Sequence, residues 1–201
     1  MKNCLFLGLF TLLACTPAVE TTSPDTVDNV GIQTEDFPIF PDEYLGRWAG
    51  ELIIYNAEGV AQEVPMQLHL EPVDDSTYTY TIIYGEDLEA GTRPYLLKEV
   101  DRTKGHWYVD EQNTILLDGY YLGGVFYEPF AVGNSALTAM LEKRGDQLLY
   151  GITAGPREPV RTTGDQVYSS DTIPAVDSYR LNVYQRAVLN RIPEVEVDSE
   201  E

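Results

Sequence analysis

The stretch YLGRWAGELIIY, residues 44–55, decides the fold. On an extended chain successive side chains point to opposite faces, so Trp48, Gly50, Leu52 and Ile54 share one side and Arg47 and Glu51 the other. That is a strand with one buried face. Everything before it reads as targeting peptide and tether, and everything after it repeats its pattern.

Downstream, residues 63–72 alternate with Val64, Met66, Leu68 and Leu70 on one face and Gln67, His69 and Glu71 on the other. Residues 77–84 alternate Thr with Tyr78, Tyr80, Ile82 and Tyr84. Shorter strand-like runs follow over 93–101, 106–110, 114–122, 125–132, 136–143 and 147–154, each bounded by Gly, Asn or Asp turn residues. The Pro-, Thr- and Asp-containing stretch 155–174 is irregular apart from a short strand at 166–169. Residues 178–191 put Tyr179, Leu181, Val183, Ala187 and Leu189 on one face at a period of two. On a helical period their apolar residues spread over more than half the circumference, so the last element reads as a strand. The sum is an all-β domain of about ten antiparallel strands in a meander. A flat sheet of that size exposes long edges, so closure of the last strand on the first is expected.

The 201 residues include 13 Lys plus Arg and 33 Asp plus Glu, a net charge of −20, which repels nucleic-acid phosphates and excludes nucleic acid as a partner. Seven of the acids lie in residues 16–44 and five in 194–201, stretches without Lys or Arg, so the acidity belongs partly to the ends of the chain. A folded region of about 150 residues buries enough surface to need no disulfide.

At the N-terminus Lys2 precedes an apolar run of about nine residues, too short for the roughly 20 that cross a bilayer as a helix, and then Ala14 and Cys15. Leu12-Leu13-Ala14-Cys15 resembles the bacterial lipobox. The resemblance implies that residues 1–14 are removed and that Cys15 carries a lipid anchor. Cys4 leaves with the signal, so Cys15 would be the one Cys of the exported protein, and a thioether to lipid removes a free thiol from an oxidising compartment. Thr16 lacks the Asp that in many Gram-negative lipoproteins signals inner-membrane retention, so the resemblance points to the outer membrane. Residues 15–43 then form anchor and flexible tether, 44–192 the barrel and 193–201 an acidic tail. Phe37, Ile39 and Phe40 stand out in the tether: they fold back on the domain or make a sticky linker.

Gly46-Arg47-Trp48 on the first strand of such a meander resembles the start of calycin barrels, the lipocalin, fatty-acid-binding and avidin-like group. The resemblance implies that Gly46 and Trp48 plug one end, with Arg186 or Arg191 of the last strand packed on the Trp. Helices typical of lipocalins and fatty-acid-binding proteins are not discernible.

No catalytic constellation is legible. There is no Gly-x-Ser-x-Gly elbow, no phosphate loop and no metal-ligand spacing, so neither metal nor cofactor is expected. His69 lies on the polar face of its strand and His106 beside a turn glycine; exposed residues without a role and haem ligation are the two alternatives. The 14 Tyr are the remaining clue. If Tyr78, Tyr80, Tyr84, Tyr108 and Tyr127 point inward with Met66 and Leu68, they line a pocket for a small, partly apolar ligand; if outward, they form a partner surface. The function expected is therefore a lipid-anchored envelope protein that binds such a ligand. The alternative is an interaction or structural module whose filled barrel docks another envelope protein.

Overall fold

The computed structural model describes residues 36–193. Residues 1–35, which hold the expected signal peptide, Cys15 and most of the expected tether, and the acidic residues 194–201 lie outside the described residues.

The domain is an all-β closed barrel of ten antiparallel strands, consistent with the calycin-like architecture. Nine consecutive strands form the meander: β1 (Gly46–Asn56), β2 (Gly59–Leu70), β3 (Thr77–Tyr84), β4 (Thr92–Asp101), β5 (His106–Asp110), β6 (Leu116–Leu122), β7 (Val125–Val132), β8 (Ser135–Arg144) and β9 (Gln147–Pro156). Four three-residue strands come next: β10 (Arg161–Thr163), β11 (Gln166–Tyr168), β12 (Asp171–Ile173) and β13 (Val176–Ser178). The last strand, β14 (Val183–Arg191), pairs with β9 on one side and with β1 on the other, which closes the barrel. The loop after β3 holds one turn of helix, α1 (Leu88–Gly91), because the Asp87 side chain accepts hydrogen bonds from the backbone N–H groups of Glu89 and Ala90 at 3.1 Å.

Register follows the hydrophobic face. Trp48 opposes Leu68, and Leu52 opposes Ala187, so inward residues meet inward residues around the closure. A slip of one residue would turn every apolar side chain of a strand to water. The outside carries Arg47, Glu51, Lys98, Asp110, Asp118 and Arg186, and Lys98 bridges Asp110 across neighbouring strands at 2.8 Å. An apolar inside with a charged outside is the reverse of the lipid-facing band of a membrane-spanning barrel.

One end is sealed. Of the two readings open for Phe37, Ile39 and Phe40, Phe40 folds back and is buried, while Phe37 and Ile39 stay exposed. Its ring stacks on Phe126 at 4.6 Å and meets Tyr44 and Trp107 edge-on at 5.1 and 5.4 Å. The Phe40–Pro41 peptide bond is cis. Tyr44 is fully buried; its hydroxyl donates to the Gly124 carbonyl at 2.9 Å and accepts from the Lys143 N–H at 3.2 Å. Burial, and hydrogen bonding with Tyr121, push that phenol far above its usual range.

The strand expected over 178–191 begins only at Val183. Tyr179 and Leu181, placed by period on its buried face, are instead exposed. The reason is topological: β10 pairs with β13 and β11 with β12, so residues 157–182 leave the barrel as a nested two-stranded arm before the chain returns as β14. In so small a ribbon neither face is covered.

Candidate functional site

Gly46 and Trp48 sit at the sealed end, on the first rungs of β1. The Trp48 indole N–H donates to the Tyr44 carbonyl at 2.9 Å, and the Arg191 guanidinium lies over its ring, 4.3 Å from the centroid. Gly46 has φ +127°, and a Cβ there would stand 2.3 Å from Arg191 Nη1, so only glycine permits the stack. Arg186, the other candidate, lies over Tyr55 at the opposite end.

Met66, Leu68, Tyr78 and Tyr80 face inward and are buried, with Tyr84 partly so. They do not line a chamber. Leu68, Leu97, Phe126, Leu141 and Leu148 have 0% of their surface exposed, and Met66, Tyr80 and Val109 have 1%. A side chain without accessible surface borders no void large enough for a water, so the sealed half and the middle of the barrel are filled. Tyr78 belongs to the sealed end, where its hydroxyl accepts from Arg102 Nη2 at 2.8 Å and Arg102 lies over Trp107.

Tyr108 and Tyr127 are corrections. Tyr108 lies between the buried Trp107 and Val109, and Tyr127 between the buried Phe126 and Glu128, so both have outward parity. Lys98 reaches over the Tyr108 ring on that outer face. Cys15, the lipid-attachment candidate, is outside the described residues.

The two histidines also serve the outside. His69 Nε2 meets Gln67 Oε1 at 3.0 Å, and His106 Nε2 meets Asp118 Oδ1 at 2.7 Å while its ring stacks on Tyr120. Burial, then the neighbouring Arg47, lower the His69 pKa. Among the described residues no group of three or more His, Cys, Asp or Glu is placed to hold a metal.

Glu128 is the residue that sequence reasoning missed. It is the one buried charged side chain among the described residues, 5% exposed, and the Tyr80 hydroxyl donates to its Oε2 at 3.3 Å. The Tyr84 and Tyr150 hydroxyls meet at 3.4 Å. Burial raises the Glu128 pKa to about 7 and drives the Tyr80 and Tyr150 phenols well above theirs. A signal for it existed: in VFYEPFAV the acid shares inward parity with Phe126 and Phe130. Toward the open end the ring of Ile54, Val64, Tyr84, Tyr95, Leu117 and Ile152 is only partly buried.

A cleft of about 410 Å³ lies at the rim of the barrel's open end. One wall is the rim of β8 and β9, with Thr138, Thr153 and Pro156; the other is the returning chain, with Tyr179, Arg180 and Leu181. Gly155 sets its width, since a Cβ there would fall 1.9 Å from the Arg180 carbonyl oxygen. Beside it the arm exposes Val167 at 70%, Tyr168 at 74% and Leu181 at 68%. No family model, no curated protein and no solved structure matches this chain.

Proposed function

We propose that the protein is a lipid-anchored envelope protein whose filled barrel is a rigid platform and whose arm and adjoining cleft dock another protein. One observation carries this reading: the arm presents Val160, Val167, Tyr168, Val176, Tyr179 and Leu181 to solvent, while the barrel middle is closed to ligands. Exposed apolar groups concentrated in one protruding element, rimmed by polar residues, are typical of interaction sites. Anchoring rests on Leu12-Leu13-Ala14-Cys15. The outer membrane is the proposed location.

A second reading is favoured by Glu128. A buried carboxyl whose pKa burial raises to about 7, hydrogen-bonded by Tyr80 beneath a half-open ring of apolar residues, is a costly arrangement of the kind found at binding sites. It supports a small, partly apolar ligand bound shallowly at the open end.

Native mass spectrometry of the protein purified from its own cells separates the two. A stoichiometric protein partner, lost in a Tyr168→Ser, Leu181→Ser variant, is the expected result. A bound small molecule with no protein partner would overturn the docking reading and favour the second. For anchoring, Cys15→Ser is expected to move the protein from the membrane fraction to the soluble one. Unchanged membrane retention would exclude lipidation at Cys15.

A further inference from the structure

The cleft between β9 and the returning chain carries an electrostatic anomaly. On a chain of net charge −20, its lining includes two arginines, Arg157 and Arg180, and no acidic residue. The side chains of Arg47, Arg102 and Arg144 all bind carboxylates, at 2.7 to 3.0 Å. Those of Arg157 and Arg180 have no ion pair or hydrogen bond among the described residues. The remaining lining, Pro156, Tyr179, Leu181, Thr138 and Thr153, is apolar or neutral. Residues 179–182 belong to no strand, and Asn182 N–H donates to the Ala154 carbonyl at 2.9 Å, so an irregular segment held beside β9 borders the cleft. The complementary ligand is an extended segment that alternates carboxylates with small apolar side chains.

The chain itself contains that segment. Residues 194–201, EVEVDSEE, alternate Glu194, Glu196 and Asp198 with Val195 and Val197 and carry no base. We infer that this segment of one copy docks in the Arg157–Arg180 cleft of a second copy, resting on the docking reading above. Reach excludes the same copy. β14 delivers the chain to the sealed end, beside Gln147, whereas Gly155 stands eight positions further along β9, about 26 Å away at 3.3 Å per residue. Eight residues extend at most about 26–29 Å, so residues 194–201 are spent in reaching the cleft of their own copy and cannot also lie along it. Exchange between two copies is isologous: each tail fills the other's cleft, and the assembly closes as a two-fold dimer.

The test is sedimentation velocity on the full chain carrying Cys15→Ser, purified from the soluble fraction, at about 10–100 μM, the range of a micromolar contact. Dimerisation that weakens as salt rises is expected. Arg157→Glu with Arg180→Glu should weaken it at least about tenfold, as loss of charge-assisted hydrogen bonds implies. Replacing the five acids of 194–201 by Lys should do the same, and a chain carrying both reversals should dimerise again. That rescue is what a merely structural role for the arginines would not produce. A chain that stays monomeric throughout, or dimerises regardless of either reversal, overturns the inference. If a different protein partner is still lost with Tyr168→Ser and Leu181→Ser, the docking reading survives; if no protein partner depends on the arm, both fall.

Discussion

Trp48→Ala is expected to cost about 4 kcal/mol of stability. Three losses add at this residue. The indole is fully buried, and removing a buried Trp leaves a cavity that a packed barrel end collapses into only partly, with typical penalties of about 3–5 kcal/mol. Its N–H no longer satisfies the Tyr44 carbonyl, which lies in a dry interior. Arg191 loses the ring 4.3 Å beneath it, a cation–π contact worth about 0.5–1 kcal/mol where exposed and more when desolvated. Urea unfolding followed by circular dichroism checks it: the midpoint should fall while the slope with denaturant stays constant. A loss under about 1.5 kcal/mol, within the range of an ordinary substitution, would show that Trp48 does not hold the sealed end together.

Glu128→Gln is expected to stabilise the protein, and only above acid pH. In the fold burial raises the Glu128 carboxyl to a pKa of about 7, against an ordinary glutamate value of about 4.5, so the folded state prefers the protonated form. Below pH 4.5 both states hold the proton and there is no penalty. As pH rises toward 7 the unfolded chain ionises freely while the fold resists, and stability falls. Above pH 7 the loss is complete at about 3 kcal/mol, from 1.36 kcal/mol per pH unit between the two values. Glutamine keeps an oxygen to accept from the Tyr80 hydroxyl and has no proton to lose. The variant should therefore match the parent at pH 4.5 and melt about 6–12 °C higher at pH 8, at roughly 2–4 °C per kcal/mol for a domain of this size. Hydrogen bonds to Asp74, Asp101 and Asp110 lower those pKa values and shape the acid side of both profiles alike, so they drop out of the difference. Parallel melting curves from pH 4.5 to 8 would mean that Glu128 is not held in the neutral form.

The barrel was legible because one-sided burial writes a period of two into the chain. β1, β2 and β3 each show it cleanly, and Trp48, Leu52, Met66, Leu68, Leu70, Tyr78 and Tyr80 are all buried as their parity predicts. Parity fails where an element is not packed. Tyr179 and Leu181 continue the apolar alternation of β14 into a segment with nothing to bury them against. Tyrosine is also a poor marker of direction, since its ring suits a core and its hydroxyl suits water; Tyr108 and Tyr127 have partners enough outside the barrel. The site was less visible for a different reason. Nothing local in VFYEPFAV separates a buried glutamate from a solvated one until the ring of strands closes around it. The cleft depends on Gly155 meeting the Arg180 backbone, a long-range approach that no single stretch encodes.

Closure by β1 and β14 also sets the order of events in folding. Trp48 finds Arg191 across nearly the whole length of the domain, so β1, the first strand to leave the ribosome, waits for the last before both its edges are paired. Until then β1 and β9 offer unpaired backbone on two exposed margins, and contacts so distant along the chain are slow to form. The hairpins between β1 and β9 are local and can assemble while synthesis continues, but the seal is an end-of-synthesis event. A chain interrupted between Pro156 and Val183 keeps an almost complete sheet with two open sides, which makes such truncated copies aggregation-prone.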